Sequence, residues 1–141
     1  MIRYFSEDVS FTYSGKRLAN RWLKAVSKAE HKTLGNIAII FCSDAYLLEI
    51  NKKYLRCDTF TDIITFNYCE GDLLSGDLFI SIDTVRDNAA YYGTVFTEEL
   101  NRVIVHGLLH LIGFDDRTED QRKTMREKED ECLRLLTLLS A

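Results

Sequence analysis

The sequence predicts an α+β fold, a single domain spanning 1–141 in which a small mixed β-sheet of about four strands packs with about five helices. We expect a metal site at the end of a central helix. The chain has 141 residues, 46% of them hydrophobic and 28% charged, which is the size and composition of one globular domain. Segments of strand and helix character follow in the order β, α, β, α, β, β, α, α, α, which is typical of a sheet covered by helices.

The first half of the chain predicts two strands, each followed by a helix. Residues 2–12 alternate loosely between apolar and polar side chains and hold one strand or two short ones. Across 16–31, apolar residues recur at spacings of three and four, which is the period of an amphipathic helix. The run 37–41 is apolar at every position and predicts a central strand buried on both faces. Ser43 is then a suitable N-cap for a helix over 44–54.

A hairpin and a short helix are predicted next. Residues 61–68 are rich in β-branched and aromatic side chains, and 77–82 has similar strand character after a glycine-containing turn. Asp83 is placed to cap a helix that runs to Tyr92, where Gly93 can end it.

Two further helices complete the predicted order. Thr97 is a candidate N-cap for the first of them, and this helix carries both His106 and His110. Thr118 begins the last helix, and Gln121 three residues later completes a capping box.

The histidine pair indicates a metal site. His106 and His110 lie four residues apart on a predicted helix, so both imidazoles can bind one ion. Gly113 permits a sharp turn, after which Asp116 can supply the third ligand, with Asp115 as the alternative. Three protein ligands leave one coordination position open, as in catalytic sites rather than closed structural ones. Two imidazoles and one carboxylate favour zinc, one ion per chain, and iron(II) is the weaker alternative.

The spacing of these residues matches that of one large group of zinc peptidases. Those enzymes need a glutamate directly after the first histidine, where it acts as the general base. Gly107 occupies that position here and has no side chain that could accept a proton. The sequence therefore disfavours peptide hydrolysis by that mechanism.

The distribution of charge bears on which partners the protein can have. A net charge of -4 and a pI near 5.4 argue against a protein that coats duplex nucleic acid through bulk electrostatics. Basic residues nevertheless crowd the segment 16–32, and contact with phosphate groups is one interpretation of this cluster. The alternative is an ordinary solvated helix face. The basic residues of this segment are Lys16, Arg17, Arg21, Lys24, Lys28 and Lys32.

Several features together predict a cytoplasmic protein. The four cysteines are scattered without a C-x-x-C pair, so a thiol-rich metal site is not expected. The N-terminus does not have the pattern of a secretory signal. No apolar run approaches the roughly 20 residues that a membrane span needs. We therefore expect reduced thiols in a cytoplasm and no membrane partner.

The segment 106–116, with glycine in the glutamate position, resembles the signature of the YbeY family of rRNA maturation factors. Two upstream segments, within 51–66 and at 76–81, resemble further blocks of that family in the same order. The resemblance implies a metal-dependent endoribonuclease acting in 16S rRNA 3′-end maturation and ribosome quality control. We expect single-stranded RNA as its substrate, because splayed bases can stack on exposed aromatic side chains. Its implied partners are rRNA and the small ribosomal subunit, with a ribosomal protein or a GTPase as a further partner.

Two positions depart from the family pattern. Asp116 stands where the family usually has a histidine ligand, so a carboxylate with added negative charge replaces an imidazole. Leu55 stands where the family usually has an arginine, and Arg56 follows it. Arg56 is therefore our candidate catalytic residue, because a guanidinium pairs well with phosphate oxygens and can stabilise the charge of the transition state.

Two functional classes stand beside the nuclease. One is a zincin-like metallohydrolase acting on peptides or another small substrate. The other is a non-catalytic, ribosome-associated module in which the metal is only structural. The sequence predicts no oligomeric state.

Overall fold

The computed structural model describes residues 1–56 and 61–141 and confirms the predicted α+β fold. Its elements are β1 Ile2–Ser6, α1 Lys16–Ala29, β2 Thr33–Cys42, α2 Asp44–Leu55, β3 Ile63–Asn67, β4 Leu73–Ser81, α3 Ile82–Tyr92, α4 Phe96–Ile112 and α5 Glu119–Ser140. They follow the predicted order, with one strand in the N-terminal segment. Asp58, part of the block that resembles the family, lies outside the described residues.

The strands of the described chain form one mixed sheet in the order β1-β2-β4-β3. β1 and β4 both run parallel to β2, while β3 and β4 form the predicted antiparallel hairpin. β2 is central, as its apolar sequence predicts. Phe41 packs into the main core, whereas the neighbouring Cys42 packs into a second cluster on the opposite face. This order places β1 and β3 at opposite edges of the sheet.

The main hydrophobic core lies between one face of the sheet and the helices α1, α4 and α5. Trp22 of α1 is fully buried, and its indole N–H donates to the carbonyl oxygen of Cys132 in α5 over 2.7 Å. Helix α4 contributes the buried side chains of Leu100, Val103, Ile104, Leu108 and Leu111. Burying each of them contributes about 1.5–3 kcal/mol, so the helix that carries both histidines is held firmly against the sheet.

The opposite face of the sheet is covered by α2. Leu47 of this helix packs with Cys42 of β2 and Ile64 of β3. The C-terminal end of α2 and strand β3 are thereby brought together, and they form two walls of the cleft that contains the histidines.

The structure confirms two predicted helix caps. The Ser43 hydroxyl accepts the backbone N–H of Tyr46 at the start of α2. Thr118 and Gln121 form the predicted capping box at the start of α5, each side chain accepting a backbone N–H of the other residue.

The other two predicted caps are wrong. Ser81, not Asp83, caps α3 by accepting the backbone N–H of Thr84, because the Asp83 carboxylate accepts the backbone N–H of Asp44 instead. Helix α4 begins at Phe96, one residue before the predicted cap Thr97, and Val95 at its N-cap makes no side-chain cap. Phe96 packs edge-to-face against Phe11, and this tertiary contact accompanies the earlier start.

Candidate metal centre

The C-terminal end of α4 presents two imidazoles to a cleft. His106 and His110 lie one turn apart, with ring centroids separated by 4.6 Å. The helix ends at Gly113, whose φ of 128° is a conformation that side chains rarely adopt. The amide of Phe114 donates back to the carbonyl of Leu109 and closes the turn. The following loop then returns the Asp116 carboxylate to the two imidazoles.

The three candidate ligand atoms form a nearly equilateral triangle. Nε2 of His106 lies 3.1 Å from Nε2 of His110. Each of these nitrogens lies 3.3 Å from Oδ2 of Asp116. In a tetrahedral zinc site, bonds of about 2.0–2.1 Å place neighbouring ligand atoms about 3.3 Å apart. The donor set and its spacing therefore fit one zinc ion bound at the open side of the triangle.

A buried carboxylate supports the first imidazole. Nδ1 of His106 lies 2.6 Å from Oε2 of Glu129, a residue of α5 that is only 6% exposed. The other oxygen of Glu129 accepts a hydrogen bond from Arg102 over 2.9 Å, and Arg102 also donates to Asp130 over 2.7 Å. A carboxylate on the far nitrogen fixes the tautomer of a ligating histidine and leaves Nε2 free for metal.

Burial and nearby charges shift the pKa values of His106 and Asp62. Burial of His106 favours its neutral form, but the hydrogen bond and charge of Glu129, together with the charges of Asp62 and Asp116, outweigh burial and raise the pKa of His106. The pKa of Asp62 is also raised, chiefly because burial disfavours its charged form. Metal that binds His106 therefore displaces a proton whenever the imidazole is charged.

The three side chains open into a cleft of about 630 Å³. Its walls are the end of α2, the segment from Thr61 to Asn67 that includes β3, and the loop after α4. The side chains of His106 and His110 are 22% and 27% exposed, so a substrate in the cleft can reach the triangle. Asp62 and Asp115 also line the cleft, and Arg117 is the guanidinium among its described lining residues.

The structure separates the two aspartates that the sequence left as alternatives. Asp116 points its carboxylate at both imidazoles, and within the described chain it completes the group able to hold a metal. Oδ1 of Asp115 instead accepts the backbone N–H of Asp116 over 2.8 Å, and its Oδ2 lies 3.4 Å from Nε of Arg117. Asp115 therefore orders the loop that presents Asp116.

The candidate catalytic arginine lies beside the cleft rather than among its described lining residues. Arg56 is exposed at the C-cap of α2 and has a left-handed backbone with φ of 53°. Leu55, directly before it, lines the cleft. The role of Arg56 stays a prediction.

Gly107 shows why a glutamate is not accommodated after the first histidine. A Cβ at this position would lie 2.7 Å from Cδ1 of Ile63 and 2.9 Å from Cδ2 of Leu78. Leu78 is fully buried in the core, so a longer side chain has no space without movement of the sheet residues.

We therefore expect Gly107→Glu to unfold the protein, whereas Gly107→Ala lowers the free energy of unfolding by up to about 2 kcal/mol. Overpacking costs about 1–3 kcal/mol, and alanine returns about 1 kcal/mol through its higher helix propensity. Urea denaturation followed by circular dichroism measures both effects. A Gly107→Glu variant as stable as the original chain would show that position 107 has space for a general base.

Sequence reasoning missed Glu129, Arg102 and Arg117 as parts of this site. Glu129 lies on the helix after the metal motif and contacts His106 only through the packing of α5 on α4. The one available signal was a glutamate on a predicted helix face that also carries buried Met125 and Cys132. A charged residue among apolar neighbours at helical spacing indicates a buried partner, but not which one.

Comparison with known proteins places the chain among endoribonucleases. The family model described as Endoribonuclease YbeY matches residues 2–137. A relative named Endoribonuclease YbeY from Bacteroides thetaiotaomicron is 49% identical, covering 94% of this chain and 96% of the relative. A relative of the same name from Phocaeicola vulgatus is 48% identical, covering 98% of this chain and all of the relative.

A solved structure shares the fold. The solution structure of TM1509 from Thermotoga maritima superposes with a TM-score of 0.68 at 28% identity, over 96% of this chain and 89% of that one. In the part of the chain that is described, no helix combines the length and apolar character needed to cross a bilayer.

Proposed function

This chain belongs to the Endoribonuclease YbeY family, and from that premise we propose that it cleaves single-stranded RNA with one zinc ion held by His106, His110 and Asp116. The observation that carries the proposal is the triangle of three ligand atoms, 3.1–3.3 Å from one another, whose open side faces a cleft. In a closed structural site, a fourth protein ligand would occupy the remaining coordination position of the metal. Here the described residues offer three ligands, and the fourth side faces the cleft.

A bound zinc ion would polarise a phosphoryl oxygen or lower the pKa of a water molecule towards about 7. The protein's own residues then have separate tasks. Glu129 orients His106, and the hydrogen bond of Asp115 to the Asp116 amide holds the third ligand in place. The cleft between α2, β3 and the loop after α4 holds the RNA strand. Its openness suits splayed single-stranded RNA, whose bases can turn away from the backbone.

The peptidase alternative is weaker because of Gly107. A zincin-type peptidase needs a glutamate at that position, and the contacts with Ile63 and Leu78 leave no space for one. Casein cleavage that is lost with a chelator would revive this alternative.

Two arginines are candidates for contact with the phosphate that is cleaved. We propose that Arg56 reaches into the cleft from the end of α2, as the family resemblance implies. Arg117 provides a second guanidinium at the rim, where its backbone N–H is fixed by Gln121 and its side chain is 85% exposed. A guanidinium binds phosphate oxygens in a fork geometry that lysine does not reproduce.

We expect Arg56→Ala to lower kcat for RNA cleavage by roughly 10–100-fold, the scale of a lost charge-assisted hydrogen bond to the transition state. Arg117→Ala should instead raise KM with a small effect on kcat. Both variants should keep the zinc content of the original chain. The reverse pattern, with the kcat loss in Arg117→Ala alone, would move the catalytic role to Arg117.

We further propose that the cellular substrate is 16S rRNA at its 3′ end and that the protein acts in ribosome quality control in the cytoplasm. Its partners in this proposal are rRNA and the small ribosomal subunit, with a ribosomal protein or a GTPase as a further partner. Support comes from family membership, since the family model covers nearly the whole chain.

The test is cleavage of labelled RNA by the purified chain. We expect single-stranded RNA to be cut and duplex RNA of the same sequence to be spared. A chelator should abolish cleavage and added zinc should restore it. A metal-loaded protein that cuts no RNA and loses only thermal stability on metal removal would favour the structural-metal module.

A further inference from the structure

A second groove runs along the edge of the sheet formed by β1. Its volume is about 710 Å³, and its basic lining groups are Lys24, Lys28 and Lys32, with Met1 also part of the lining. β1 and β3 occupy opposite edges of the sheet, so this lysine groove and the metal cleft lie on different sides of the molecule. Three strand spacings of about 4.8 Å separate the two edges by about 14 Å.

The lysines of the groove follow the helix period. Lys24 and Lys28 are four residues apart on α1, and Asn20 continues the same row towards the start of the helix. Residues at this spacing lie on one face, roughly 6 Å apart along the axis. A hydrogen bond joins this face of α1 to β1, in which the Tyr4 hydroxyl donates to Oδ1 of Asn20 over 2.8 Å. Lys16, one further turn back, lies 5.7 Å from the centre of the Tyr4 ring.

Much of the positive charge in this groove is uncompensated. Lys24 and Lys28 are exposed, and among the described residues no carboxylate lies within 4.0 Å of either ammonium group. Lys32 is paired with Asp72 at 3.0 Å. The segment 16–32 carries six basic residues and one acidic residue, in a chain whose net charge is -4. Positive charge is therefore concentrated on this helix against the overall charge of the protein.

We propose that the lysine groove binds the phosphate backbone of RNA at a distance from the cleavage site. The unpaired ammonium groups of Lys24 and Lys28, one helical turn apart, suit a repeating polyanion, and they bind it without reading sequence. The choice of RNA as the polyanion rests on the proposed function. An RNA of a few nucleotides occupies the metal cleft alone, whereas a longer strand reaches both sites and gains affinity through effective concentration.

The test measures RNA binding separately from cleavage, by fluorescence anisotropy on the zinc-loaded chain, with RNA made resistant to cleavage by 2′-O-methyl and phosphorothioate groups. The variant is Lys24→Gln/Lys28→Gln, in which glutamine keeps the helix propensity of lysine. The matched control is Arg86→Gln/Arg134→Gln, which removes the same charge from exposed positions of α3 and α5. Two single-stranded RNAs are compared. One of about 4 nucleotides occupies the metal cleft alone, and one of about 16 nucleotides is long enough to reach both sites.

We expect the lysine variant to bind the longer RNA about tenfold more weakly, and the slope of log affinity against log salt to fall by about 1.4. Its affinity for the short RNA, and the control's affinity for both, should change less than twofold. Equal losses for both RNAs, or no loss, would overturn the proposal. If the lysine variant keeps its affinity for RNA but no longer binds poly-glutamate, the proposal is overturned and the groove binds an acidic protein partner instead. A chain that binds RNA as expected but never cuts it would refute the proposed nuclease and leave this groove intact.

Discussion

His110→Ala abolishes metal binding and RNA cleavage together. His110 supplies one of the three atoms of the ligand triangle, 3.1 Å from the nitrogen of His106 and 3.3 Å from the oxygen of Asp116. Loss of a partner that only orients a ligand costs about 10–100-fold in metal affinity, and loss of the ligand itself costs more. Elemental analysis after dialysis should show close to no zinc, and cleavage of single-stranded RNA should fall to background.

His31 provides the matched control, because it is the remaining histidine of the chain and is exposed. Its backbone has a φ of 60°, so His31→Asn is preferred to alanine, since asparagine tolerates this left-handed conformation. We expect this variant to keep full zinc content and activity. Should His110→Ala retain one tightly bound zinc ion per chain, the ligand assignment is wrong.

Glu129→Ala weakens both the metal site and the fold. The substitution removes the carboxylate that lies 2.6 Å from Nδ1 of His106 and also accepts a hydrogen bond from Arg102. The imidazole loses its fixed tautomer, so zinc affinity should fall by about 10–100-fold. Removing one member of a buried ionic network should lower the free energy of unfolding by about 3 kcal/mol. Competition with a zinc-binding dye and urea denaturation measure the two effects.

Asp130→Ala is the control that separates the loss of zinc affinity from the loss of stability. Asp130 is the next residue of α5 and also accepts a hydrogen bond from Arg102, but its carboxylate is 44% exposed and no described contact joins it directly to His106. We expect unchanged zinc affinity and a loss of at most about 1 kcal/mol of stability. Equal losses of zinc affinity in the two variants would mean that Arg102, rather than the contact with His106, supports the site.

The candidate ligands were predictable because their geometry is local. The spacing of His106 and His110 fixes both imidazoles on one helix face, and Gly113 allows the turn that returns Asp116 to them. The choice between Asp115 and Asp116 needed the loop conformation. It is set by a hydrogen bond between the two residues that the sequence pattern does not reveal.

Features that depend on packing between distant segments were not predictable. Glu129 reaches His106 from a helix that begins after the metal motif, and its contact depends on how α5 lies across α4. Tertiary contacts also accompany the two wrong caps. Asp83 accepts the backbone N–H of Asp44, and Phe96 packs against Phe11, and a local cap preference contains neither contact. Ser43 and Thr118 cap as predicted, and the hydrogen bonds of the Thr118 cap stay within its own first turn.

The most direct test of the central claim is elemental analysis of the purified, untagged chain by inductively coupled plasma mass spectrometry. An ion held by His106, His110 and Asp116 predicts about one zinc per chain that survives dialysis. A chain that retains no metal, or only metal that exchanges freely, would contradict the account. In that case Asp116 does not complete a metal site with the two histidines.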